Sequence, residues 1–211
     1  MSADLSHLLG KREIFWELQE IAKENQRILE HGSFFDWMCT NYIAAVTMGV
    51  RGFTDQSHDV RSLWRLLYGI LENPGVISRN SHRALYRGTL NSPDFDMANS
   101  AFDNVAGKGR NVLRQRNVTK DLRDLEDSTD RVRKFVNKRI AHRITAGRLR
   151  RPPNFNELDE SMDTIVRIFC KYSLLLSASG KSSVCATRQS DWMEVLHEAW
   201  IQPGSKFRPE A

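Results

Sequence analysis

The segment Phe135-Val136-Asn137-Lys138-Arg139-Ile140-Ala141-His142-Arg143 holds one group able to move a proton near neutral pH and several able to bind phosphate. An imidazole can relay protons, while cationic side chains hold the negative charge that develops on a phosphoryl oxygen. On a helix, Phe135, Arg139 and His142 share one face. Lys138 lies one turn before His142, and Arg143 follows Arg139 by four residues. Such a group suits acid–base chemistry at a phosphodiester. It also suits a plainer role, with His142 capping the last helical carbonyls and Arg139 paired with an acidic neighbour.

Charge is concentrated around this segment. Between 108 and 151 there are fifteen Lys or Arg against five Asp or Glu, a local net charge of +10 in a chain of net +5, so the remainder carries −5. That asymmetry favours a polyanion, nucleic acid above all, because each cation facing a phosphate releases condensed counterions. The alternative is a solvated helix face whose arginines pair with Asp121, Asp124, Glu126, Asp127 and Asp130 at three- and four-residue spacing.

The elements that must position these residues read as helices almost throughout. Ile14, Leu18, Ile21 and Ile28 mark an amphipathic outer helix. Over 34–50, Trp37, Met38, Tyr42, Ile43, Val46 and Met48 surround the axis and predict a central helix ending at Gly52. A third helix is expected after Asp55-Gln56-Ser57, with Val60, Leu63, Trp64, Leu67, Ile70 and Leu71 apolar and Asn73-Pro74 as its stop. These three are expected to form much of the core. Short helices are expected within 76–86 and after Ser92-Pro93, and Gly107-Lys108-Gly109 reads as a turn.

A long helix over 119–143 carries Leu122, Leu125, Val132, Phe135, Val136 and Ile140, and Gly147 with Pro152-Pro153 closes it. Asn156 is the expected cap of a helix bearing Leu158, Met162, Ile165, Val166, Phe169, Tyr172 and Leu175. The stretch 177–190 is rich in small and polar residues and reads as a linker. It leads to a short helix over 191–200 whose Trp192, Val195, Leu196 and Trp200 form an apolar face, expected to dock on the bundle. The domain expectation is therefore a bundle over 1–178, followed over 179–211 by linker, short helix and polar tail.

At 211 residues and 40% hydrophobic, the chain can bury a substantial core. Its apolar runs fall well short of the ~18 residues that cross a bilayer. Met1-Ser2-Ala3-Asp4 lacks the pattern of a secretory signal, and Cys39, Cys170 and Cys185 form no CxxC pair. A cytoplasmic protein with reduced thiols and no membrane partner is expected. The histidines His7, His31, His58, His82, His142 and His197 show no zinc-site spacing, and Gly107-Lys108-Gly109-Arg110 is too short for a nucleotide-phosphate loop. No cofactor is expected.

The helical pattern over about 14–178, and more specifically the run Asn137-Lys138-Arg139-Ile140-Ala141-His142-Arg143, resembles the HEPN superfamily, and within it the AbiU-type abortive-infection branch. The resemblance implies an all-α, up-and-down HEPN-like bundle, here with a short C-terminal helical extension. It implies a homodimer, a role in phage defence or a toxin–antitoxin pair, and partners that include RNA, tRNA among the candidates, and an antitoxin or defence-system protein. It also implies a metal-independent RNA endonuclease that leaves a 2′,3′-cyclic phosphate.

In that family an Arg precedes the His by four to six intervening residues, often followed by a polar residue. Here Asn137 and His142 fit the polar residue and the His, Val136 stands where the Arg would be, and Phe135 is also apolar. Arg133, Arg139 or Arg143 would have to supply the cation from elsewhere. The implied catalytic residues are His142 as acid and base, Asn137 as a positioning group and Arg139. Lys138, Arg143, Arg133 and Lys134 are the implied RNA or phosphate contacts. The competing expectation is a catalytically degenerate HEPN module that binds RNA or a partner protein.

Overall fold

In the computed structural model, residues 1–25, 28–29, 33–86, 94–140, 153–178 and 191–198 are described, at 33, 94, 95, 139 and 140 by their backbone alone. The fold is all-α. In order, the helices are α1 (Ser2–Glu24), α2 (Ser33–Thr54), α3 (Leu63–Glu72), α4 (Arg79–Ala84), α5 (Asp94–Ala106), α6 (Gln115–Phe135) and α7 (Phe155–Ser177). A π-helical turn, Val136–Ile140, continues α6, and a 3-10 turn, Glu194–His197, follows α7. Among the described residues, β-type pairing is confined to one antiparallel bridge between Ser78 and Val112.

Helix α6 organises the bundle by packing on α2, α3 and α7. Its pairing with α7 is antiparallel: Asp121 meets Lys171, Asp124 meets Arg167, and Arg131 meets Glu157. It is also antiparallel to α3, since Gln115 reaches Leu71 and Trp64 reaches Glu126. Helix α1 runs antiparallel to α2, with Phe15 stacked on Tyr42 and Leu8 lying against Gly49. A Cβ at Gly49 would come within 2.8 Å of Leu8 Cδ1, so glycine permits this close approach.

The apolar core passes through all of these helices. Val118, Leu125, Val132 and Val136 of the α6 segment meet Leu158, Met162, Ile165, Phe169, Tyr172 and Leu175 of α7, all buried. The stripe expected on α7 is thus present, with Val166 half-buried. The core therefore depends on α6 and α7 as much as on the three helices before them.

Several expected boundaries and faces differ, each for a local reason. Helix α1 buries Leu5, Leu8, Leu9, Phe15 and Ala22, while Ile14, Leu18 and Ile21 are half-buried at its flank. Helix α2 continues through Gly52 to Thr54, whose hydroxyl bonds back to the Val50 carbonyl. Only its second half is central, as Phe34 and Trp37 are 57% and 60% exposed. Helix α3 begins after Ser62, whose hydroxyl accepts the Arg65 N–H at 3.0 Å, and not after Ser57. The residues Asp55-Gln56-Ser57 form a loop in which Asp55 accepts the Ser57 N–H.

Asn154 caps α7, where its side chain and that of Glu157 satisfy each other's backbone N–H groups; Asn156 lies inside the helix. The expected C-terminal helix is represented by the single turn Glu194–His197, with Val195 and Leu196 exposed and Trp192 donating to Glu17 of α1 at 2.7 Å. The linker at 179–190 and Trp200 lie outside the described residues.

At the junction of α1, α2 and α7, Tyr42 Oη and Asp159 Oδ1 are buried without a hydrogen-bond partner among the described residues. Asp159 Oδ2 accepts from Trp16 Nε1 at 3.1 Å. Burial raises the Asp159 carboxyl above its ordinary pKa, against the opposing pull of Arg12. The folded chain then holds this proton more tightly than the unfolded chain does. The associated stability is present at low pH and is lost as pH rises through the folded-state value. Asp159→Asn removes that loss. A gain of about 1 kcal/mol at neutral pH, roughly 2–4 °C in Tm, is expected. The gain should vanish toward about pH 3, where the acid is protonated in both states. Melting curves that show the same difference at both pH values would contradict this assignment.

Candidate phosphate-binding site

The end of α6 divides its residues by face. Val132 and Val136 point into the core, both at 0% exposure. Arg133 and Asn137, four residues apart, point together into a polar pocket of about 250 Å³. The opposite wall is the end of α2 and the loop after it: Arg51, Thr54, Asp55, Gln56 and Ser57.

Two guanidinium groups, two amides and two hydroxyls thus border one concavity. Arg51 and Arg133 have no ion pair among the described residues. Asp55 contributes one negative charge. It is held below the ordinary carboxylate range by the Ser57 N–H and hydroxyl and, less strongly, by Arg51. Two cations against one acid leave the pocket net positive. Planar guanidinium groups and an amide are the donor set that matches phosphate oxygens.

The sequence-predicted residues separate clearly. Arg133 and Asn137 are brought together in the pocket. Lys138 is exposed on the next face, and Lys134 is also exposed, with its ammonium paired to Asp130 at 2.6 Å. The backbone of Arg139 lies in the π-helical turn. His142 and Arg143 lie outside the described residues, two and three positions beyond Ile140.

Val136 is buried in the core, so the pocket's cations are Arg133, one turn earlier on α6, and Arg51 of α2. Arg51 was missed by sequence reading because it is about eighty residues away from Arg133 in the chain. The available signal was a cation in the last turn of an otherwise apolar helix, followed directly by Asp55-Gln56-Ser57.

The acids of α6 do not neutralise its cations in the way that three- and four-residue spacing suggested. Asp121 is 3% exposed and is held by Lys171 at 2.6 Å, by the Tyr172 hydroxyl at 2.9 Å and more distantly by Arg167. Asp124 binds Arg167, and Glu126 accepts from Trp64 at 2.8 Å. Within α6, only Asp130 with Lys134 forms the expected type of pair among the described residues.

Among the described residues no cluster of His, Cys, Asp and Glu is arranged to hold a metal ion, and no helix is long and apolar enough to cross a membrane. No family model, curated protein or solved structure matches the chain.

Proposed function

We propose that this protein is a HEPN-like ribonuclease that cleaves RNA by metal-independent transesterification, acting as a cytoplasmic homodimer in phage defence or with an antitoxin. The observation that carries this reading is the joining of Arg51, Arg133 and Asn137 in one net-positive pocket at the turn that leads to His142.

In the proposed reaction an RNA 2′-hydroxyl attacks the adjacent phosphorus. One His142 imidazole takes the hydroxyl proton, and the 5′-oxygen of the departing nucleotide is protonated by the His142 of the second copy. A 2′,3′-cyclic phosphate and a 5′-hydroxyl result. Arg51 and Arg133 bind the non-bridging oxygens as charge builds on the pentavalent phosphorus, and Asn137 fixes the phosphate's orientation. Lys138, Arg139 and Arg143 supply further positive charge to the pentavalent phosphorus in this reading.

A second reading, a module that binds RNA or a partner protein without cutting it, is favoured by one observation: Val136 fills the core at the position of the family arginine. The two readings separate in an RNA cleavage assay with EDTA, comparing wild type with His142→Ala. Cleavage that falls by about 10²–10⁴-fold in the variant supports the ribonuclease, the range expected for loss of a general acid or base. Salt-sensitive binding with uncut RNA in both proteins supports the module.

A further inference from the structure

A separate group of cations lies at the other end of α6. Lys108, Arg110, Arg116, Lys120 and Arg123 are exposed and Arg114 is half-buried; none has an ion pair among the described residues. Four of the acids near them are engaged elsewhere. Asp103 is held by Arg79 and by the Gly109 N–H, Asp121 and Asp124 by α7, and Glu126 by Trp64.

Positive φ angles at Gly107 and Gly109 form the turn that presents Lys108 just before the helix. On α6, Arg116, Lys120 and Arg123 recur at four- and three-residue steps, which places them in one row about 5–6 Å apart. Arg110 and Arg116 crowd Arg114 closely enough to push its pKa down. Like charges held together raise the energy of the free protein, and a bound polyanion relieves it.

The length of helix between these cations and the pocket favours a rigid duplex as the polyanion. Arg116 precedes Arg133 by seventeen positions within the same helix, which is about 26 Å along the axis at about 1.5 Å per residue. One turn of A-form RNA is shorter than the ~34 Å turn of B-DNA, at roughly 30 Å. Paired RNA is recognised through backbone shape, which a row of charges on a rigid helix can follow without reading sequence. We propose that Lys108, Arg110, Arg114, Arg116, Lys120 and Arg123 form a track that holds the phosphates of a base-paired RNA stem, which continues along α6 to the Arg51 and Arg133 pocket. The inference rests on the reading that RNA is the ligand of that pocket.

The test is a salt titration of binding by the full chain, read by fluorescence anisotropy. Its probes are a hairpin RNA with a stem of about 10–11 base pairs, an unstructured RNA of equal length, and poly-glutamate. The combined Arg110→Gln, Arg114→Gln and Arg116→Gln variant should lower the hairpin slope of log K against log salt by about 2–3, at about 0.9 per lost phosphate contact. The change on the unstructured strand should be smaller, and the matching triple Lys variant should retain the hairpin slope. An unchanged hairpin slope, equal changes on both RNAs, or tighter binding of poly-glutamate than of the hairpin overturns the track. Binding is measured without cleavage, so a lowered slope on RNA that wild type leaves uncut sustains the track and removes the ribonuclease reading instead.

Discussion

Asp121→Ala is expected to lower folding stability by about 3 kcal/mol, the lower end for removing one partner of a buried charge network. Asp121 is almost fully enclosed between α6 and α7, where its carboxylate receives Lys171 and the Tyr172 hydroxyl. Alanine leaves the Tyr172 hydroxyl buried without its acceptor, at a cost of about 1–3 kcal/mol. It also strands the Lys171 ammonium, which is partly exposed and can turn to water, so the upper end of the range is not reached. With Asp121 in place, burial first and the Asp121 charge second push the Tyr172 pKa upward and keep the phenol neutral as the hydrogen-bond donor to that carboxylate. Urea denaturation measures the effect. A loss below about 1 kcal/mol would mean that the α6–α7 pairing rests on its apolar residues alone.

The second large effect is on activity. Arg51→Ala combined with Arg133→Ala is expected to reduce RNA cleavage by about 10²–10³-fold, as for loss of a main donor to a developing oxyanion. Each single variant should retain an intermediate rate, because the remaining guanidinium still reaches the same pocket. Lysine at both positions should restore binding better than cleavage, since an ammonium supplies charge without the planar pair of donors. Neither arginine is in the buried core, so thermal melting of the double variant should stay close to wild type. Full cleavage by the double variant would exclude the pocket from the reaction.

The fold was readable where burial follows a strong local period. The residues from Leu158 to Leu175 occur at helical steps and enter the core, as expected. Helix α2 was harder because apolar residues surround its axis. Composition alone could not show that Phe34 and Trp37 emerge where none of the described helices covers them. Caps were a matter of choosing between nearby polar residues. Asn154 with Glu157 satisfies the reciprocal N-cap pattern that Asn156 lacks, and Ser62 directly precedes the helical run that Asp55 to Ser57 do not reach.

The site was legible in part. Arg133 and Asn137 share a helix, so local spacing places them together. Arg51 joins them only through the packing of α2 on α6, a non-local contact that periodicity does not specify. The charge asymmetry was visible in composition, but its exposure depended on where the acids turned. Asp121 and Asp124 bind α7 and Glu126 binds α3, which leaves the cations at the start of α6 uncovered.

The most direct measurement is the chemistry of the new RNA ends after incubation with purified protein in EDTA, using a defined RNA with His142→Ala in parallel. A 2′,3′-cyclic phosphate opposite a 5′-hydroxyl, absent with the variant, is the predicted result. Products with a 5′-phosphate, or the same cyclic ends in equal yield from His142→Ala, would contradict it.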